Sequence, residues 1–226
     1  MKKNATTTSL MRLTRTAIML AMAGVMLFAA PGCNKKDKEE SLTIPTLNTD
    51  GYKNLNSAMR KLWTDHMQWT YATVDAFYNN PDALQAHLDR LLQNQEDIGA
   101  AIVPYYGQAA GDSLAALLTT HITQAPSVLQ AAKDNNQAAL DAALANWNAN
   151  AEDIADFLAA ANPNWLQGHL RAEMKGHITQ TTAYAVDLLQ KDYPKAIADY
   201  EIAFHHMMHL ADQLSTGIAQ QFPGKF

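Results

Sequence analysis

"LNSAMRKLWTDHMQWTYATVDA", residues 55–76, carries the fold in its spacing. Leu55, Met59, Leu62, His66, Trp69, Thr73 and Ala76 recur at steps of three and four, the inward seam of a packed helix. The same steps give Leu114, Leu118, His121, Ala125 and Val128. They recur as Leu170, Met174, His177, Thr181, Tyr184 and Leu188. Each of these three seams holds one histidine. A further seam near the end runs Ile197, Tyr200, Phe204, Met207, Ala211, Leu214 and Ile218, without one.

Breaks separate the seams: "YNNPD" at 78–82, "PYYGQAAGD" at 104–112, "KDNNQ" at 133–137, "NPNW" at 162–165 and "KDYP" at 191–194. Pro81 and Pro194 suit first helical turns, Asp112 suits an N-cap, and Pro126 is expected to kink or interrupt its helix. The reading is six helices near 53–79, 81–103, 112–133, 136–161, 164–191 and 194–221. Short connections make neighbours antiparallel, so the fold class is all-α, an up-down bundle with four core helices and up to six in total.

His66, His121 and His177 follow one another at almost equal intervals, and "HITQ" occurs at both 121–124 and 177–180. This is a weak repeat of a helical hairpin. Helices 1, 3 and 5 then run parallel, which puts the three histidines at one height. The even helices reach that height at Asn94 and Gln95, at Asn148 and Asn150, and in "HHMMH" at 205–209. A polar layer across the bundle is the expectation.

Neutral imidazole is a common metal ligand and bundle cores are common metal sites. The layer is therefore a candidate transition-metal site: His66, His121 and His177 first, with Met207, His205, His209, Glu201 and Glu173 as further candidate ligands. Glu201, His205 and His209 share i, i+4, i+8 spacing, as do His169, Glu173 and His177. Thioether from Met207 or Met208 would suit copper, whereas Glu or water would suit zinc or iron. The alternatives are a hydrogen-bonded structural layer and a pocket for a small molecule or haem. His206 and His209 read as solvent-facing and His87 as exposed. The four tryptophans read as core or junction packing.

Residues 1–32 have the order of an export signal: Lys2, Lys3, Arg12 and Arg15, then "AIMLAMAGVMLFAA", then small residues up to Cys33. Cys33 is the one cysteine, placed as the lipidated cysteine of a bacterial lipoprotein. Residues 33–51 then form a flexible tether and 52–226 the bundle. The implied place is the bacterial cell envelope, anchored through lipid, facing the periplasm or the exterior. From Leu47 onward there are 10 Lys+Arg against 19 Asp+Glu, a net charge of −9. That excludes nucleic acid as an expected partner, since phosphate contacts need basic patches. A protein partner is not identified by the sequence.

No glycine-rich phosphate loop, His-Glu-x-x-His, Glu-x-x-His or paired-cysteine motif is present, and no serine sits in an elbow motif. No catalytic residue is assigned. "LWTDHMQWT", "RLLQNQEDI", "PYYG", "NANAEDIADFL", "NPNW" and "MHLADQLSTGIAQQFPGKF" together resemble a family of uncharacterised bacterial helical-bundle (lipo)proteins, in order from about residue 60. The resemblance implies a bundle with histidine at 66, 121 and 177. Some members carry the label acetylglutamate kinase. That name implies an α/β fold with a glycine-rich phosphate site, and this chain has the pattern of neither. The functional expectation is a metal carrier, sensor or redox module, or else a non-catalytic interaction protein or small-ligand binder.

Overall fold

The computed structural model describes residues 47–226. The export signal, Cys33 and most of the tether lie outside the described residues. Six helices follow in chain order: α1 Asp50–Asn79, α2 Pro81–Tyr106, α3 Gln108–Lys133, α4 Gln137–Ala161, α5 Gln167–Gln190 and α6 Tyr193–Gln221. A short 3-10 turn, Pro223–Lys225, ends the chain. No helix among the described residues is long and apolar enough to cross a membrane.

The helix starts have local causes. The Thr49 hydroxyl accepts from the Tyr52 N–H at 3.2 Å, so α1 begins at Asp50, inside the expected tether. Asn136 and Asp192 cap α4 and α6 in the same way, and Pro81 and Pro194 occupy first turns. Two expectations fail at the second and third helices. The break at 104–112 shrinks to Gly107 alone, because its φ of +84° reverses the chain in one residue. Asp112 therefore lies within α3 and caps nothing; its carboxylate accepts from the Gln108 side chain at 2.8 Å. Pro126 likewise does not interrupt α3, which runs on to Lys133 around it.

Each helix packs on its chain neighbours and α6 packs back on α1, closing a ring of three antiparallel hairpins. All six helices belong to the bundle. Across the middle, α5 also meets α1 and α3. The repeat hinted by "HITQ" runs through the whole core. Leu91, Trp147 and Ala203 occupy one equivalent position in successive hairpins, Ile98, Ile154 and Leu210 another, and all six are buried.

The buried face of α1 keeps Leu55, Met59, His66 and Ala76 of the expected seam and is wider than it. Trp63, His66, Met67, Thr70 and Val74 are buried, whereas Leu62, Trp69 and Thr73 are half-buried on the shoulder. An α-helix placed inside a ring has neighbours on more than one side, so its buried arc is wider than a single seam.

Candidate functional site

His66, His121 and His177 do converge, and all three are buried. His177 stands between the other two: its ring centroid is 5.6 Å from that of His66 and 5.8 Å from that of His121. Trp63 meets His66 edge-on at 5.4 Å, and Trp147 lies 5.0 Å from His121. Five aromatic rings thus form a row across the bundle, Trp63–His66–His177–His121–Trp147.

The row is held by a contact made three times. Asn94 Nδ2 donates to the Leu62 carbonyl at 3.0 Å, and Asn150 Nδ2 to the Leu117 carbonyl at 3.1 Å. The third hairpin uses a different residue type: His206 Nε2 donates to the Glu173 carbonyl at 2.9 Å. Each carbonyl belongs to the residue one helical turn before a core histidine, and the donors Asn94, Asn150 and His206 are evenly spaced along the chain. His206 is therefore turned inward and half-buried, not solvent-facing as the sequence suggested. Asn148 is not part of the layer; its amide bonds back to Leu144 in its own helix.

The tautomer of His121 follows from its partner. The Asn150 amide nitrogen is spent on Leu117, so its oxygen accepts, at 2.9 Å, from His121 Nδ1–H. Nε2 of His121 is then left with a lone pair, and no group among the described residues bonds to it. His177 Nδ1, the Thr181 hydroxyl and Gln95 Oε1 are also buried without a hydrogen-bond partner. At His66, Gln95 Nε2 approaches Nδ1 at a long 3.5 Å. Buried polar atoms left unpaired cost about 1–3 kcal/mol each, so their gathering in one layer calls for an explanation.

All three imidazoles are held neutral. Burial, then repulsion from His121, lowers the pKa of His66 to about 3, against the hydrogen bond that its ring makes to the Asn94 amide oxygen. Burial takes His121 to about 4, opposed by Asn150. His177 is lowered well below the usual value by burial first, then by His66, His121 and His206.

Beside the layer lies a cavity of about 220 Å³. The three histidines and Thr181 contribute to its lining, and the remaining wall is mostly apolar. Val74 and Phe77 come from α1, Leu84, Leu88 and Leu91 from α2, Ile122 and Leu129 from α3, and Trp147 from α4. Pro126 also lines it and, lacking an N–H, withholds the helical donor from the Ile122 carbonyl. The sequence offered a small-molecule pocket at the layer as an alternative, without its walls or size. Carrying the interval between Asn94 and Asn150 one step further along the chain would have flagged His206.

The remaining candidate ligands are dispersed. Met207 is fully buried on α6, whereas Glu201, His205 and His209 are exposed. Glu173 faces His169 and His206, its oxygens 3.4 Å from a ring nitrogen of each. His169 and His209 are tied instead to Gln213. His87 is half-buried against Trp69, with Nδ1 unpaired. Among the described residues, no three His, Cys, Asp or Glu side chains are grouped so as to hold a metal ion. No family model, no curated protein and no solved structure matches the chain.

Proposed function

We propose that this protein is a small-ligand-binding bundle, exported and held at the bacterial cell envelope by lipid on Cys33. The observation that carries the binding reading is a single one. An apolar-walled cavity of about 220 Å³ lies against the layer of His66, His121 and His177, inside which polar atoms of His121 and His177 have no hydrogen-bond partner among the described residues. Apolar walls supply affinity through burial. The volume falls below the roughly 300–1,000 Å³ of drug-sized pockets, which leaves no room for haem. A carrier or sensor role fits such a site.

The test is a thermal-shift screen of small neutral and charged compounds against the full-length protein. Ligand binding to the folded state must raise the melting temperature, by about 2.7 kcal/mol of stability at a hundredfold excess over Kd. Ala125 also lines the cavity, so Ala125→Phe places a ring into its wall and should abolish the shift while the helical circular dichroism remains. A hit whose shift survives Ala125→Phe is bound elsewhere and counts against the cavity.

A metal-binding reading remains as the second, favoured by the free nitrogens on His121 and His177. It requires the rings to turn from their present row until three nitrogens converge at about 2.0–2.1 Å from one ion. Elemental analysis of protein purified without an affinity tag decides it. Stoichiometric copper, zinc or iron, lost in His177→Ala, would put the metal reading first.

A further inference from the structure

We infer that the cavity takes a short alkyl chain, inserted end first, with the polar head of the molecule left outside. This rests on the cavity reading above and narrows it to the tail of a single-chain amphiphile.

The walls decide the class. They are almost wholly apolar, and no Lys, Arg, Asp or Glu contributes to them. The polar atoms of the adjoining layer are sealed within it: His121 Nε2, His177 Nδ1 and the Thr181 hydroxyl have almost no accessible surface. The Thr70 and Thr73 hydroxyls are spent on the His66 and Trp69 carbonyls. A polar group carried into this space gives up water and finds no partner, whereas a methylene gains by leaving water.

Size and shape decide the length. An engineered cavity of about 150 Å³ accepts benzene, and by the same measure about 220 Å³ holds about eight carbons. The lining runs from Leu84 to Leu91 on α2 and from His121 to Leu129 on α3, about 10–12 Å of helix. A cavity that long for its volume suits a chain better than a ring.

The two ends differ. At the layer, His66, Leu91, His121, Trp147 and His177 are buried. Towards the α1–α2 turn, Phe77, Leu84 and Leu88 are half-buried, as are Ala125 and Pro126 on α3. The layer is therefore the closed end and the half-buried side chains form the mouth. Near Gly107, α2 and α3 are seated against each other, since a Cβ added at Gly99 would meet the Gly111 carbonyl oxygen at 2.6 Å. Nearer the mouth the same two helices flank the cavity instead.

The experiment titrates the full-length protein with the straight-chain alcohols from butanol to dodecanol, with octanediol bearing a hydroxyl at each end, and with octyl glucoside below its micelle concentration. Melting temperature and tryptophan fluorescence read the binding, since Trp147 lines the cavity. Affinity should rise about fourfold per methylene up to about eight carbons and then level off. The diol must bury its second hydroxyl at the closed end, so it should bind at least about tenfold more weakly than octanol. Octyl glucoside, whose head cannot enter, should bind as octanol does. Leu129→Ala enlarges the cavity and should move the break to a longer chain. Should that variant fail to fold, the position of the break in the unsubstituted protein reads the same volume. Affinity that climbs without a break through dodecanol, a diol as tight as octanol, or octyl glucoside that fails to bind overturns the inference. If no alkyl probe binds while another compound in the wider screen does so in a way Ala125→Phe abolishes, the alkyl class is wrong and the cavity reading stands. If nothing in either set binds, both fail.

Discussion

His66, His121 and His177 change character on folding from ordinary imidazoles to groups that resist protonation. Each carries a folded-state pKa below its unfolded value of 6.5, to about 3 for His66 and about 4 for His121. The unfolded chain therefore binds more protons than the folded one between pH 6.5 and that range, and stability must fall as pH falls through that window. His121 alone corresponds to roughly 3 kcal/mol at about 1.4 kcal/mol per unit. Thermal melts followed by circular dichroism should show a steep loss of melting temperature between pH 6.5 and 4. His121→Phe should flatten that slope; a slope unchanged by the substitution would mean other groups carry the acid sensitivity. The presence of these histidines in the seams was legible at once, because i, i+3 and i, i+4 spacing is a property of the chain. Their order was not: that His177 stands in the middle depends on how three helices from distant stretches approach one another.

Helix ends and junctions govern the stability of the hairpins. At the C-terminus, Phe222 packs on Tyr105 and Tyr106 with centroids 5.9 and 5.3 Å away, and Phe226 stacks on Tyr105 at 5.7 Å. Gln221 bonds to the Tyr106 hydroxyl and to the Ala161 carbonyl, tying α6 to the ends of α2 and α4. Deleting residues 220–226 should lower the melting temperature by roughly 5 °C or more, on the scale of about 2–4 °C per kcal/mol for a domain of this size. An unchanged melting temperature would remove the clamp. A second junction is set by Gly217, where an added Cβ would meet the Trp165 indole. Alanine normally stabilises a helix interior relative to glycine, by up to about 1 kcal/mol. Here overpacking should dominate, so Gly217→Ala should destabilise by about 1–3 kcal/mol in denaturant unfolding. Stabilisation would show that the indole moves aside freely. The sequence marked these turns by Pro, Gly and Asn. It could not mark Gly107 as a complete turn or Asp112 as an interior residue, because one glycine at positive φ achieves what several polar residues usually do.

The closed ring of three hairpins explains why a site lies where it does. Equivalent positions recur from hairpin to hairpin, and the three histidines meet at one level of the bundle with His177 touching both others. The cavity lies against these three imidazoles, with its remaining wall drawn from α1 to α5. The acidic surface is consistent with a domain that stands off an anionic membrane rather than docking on it. For the proposed anchor, Cys33→Ala should shift the protein from the membrane fraction to the soluble envelope fraction in cell fractionation, with no change in domain melting temperature. Retention of the variant in the membrane fraction would refute lipid attachment at Cys33.

Helical class, the number of helices, their approximate limits and the shared height of three histidines all follow from local rules, since helix periodicity and capping depend on residues a few positions apart. The cavity, the inward turn of His206, the free lone pair on His121 and the row of five rings are decided by contacts between the two helices of each hairpin, and farther across the ring. Such contacts depend on how helices rotate about their own axes, and a modest rotation leaves every seam intact while changing which atoms face each other.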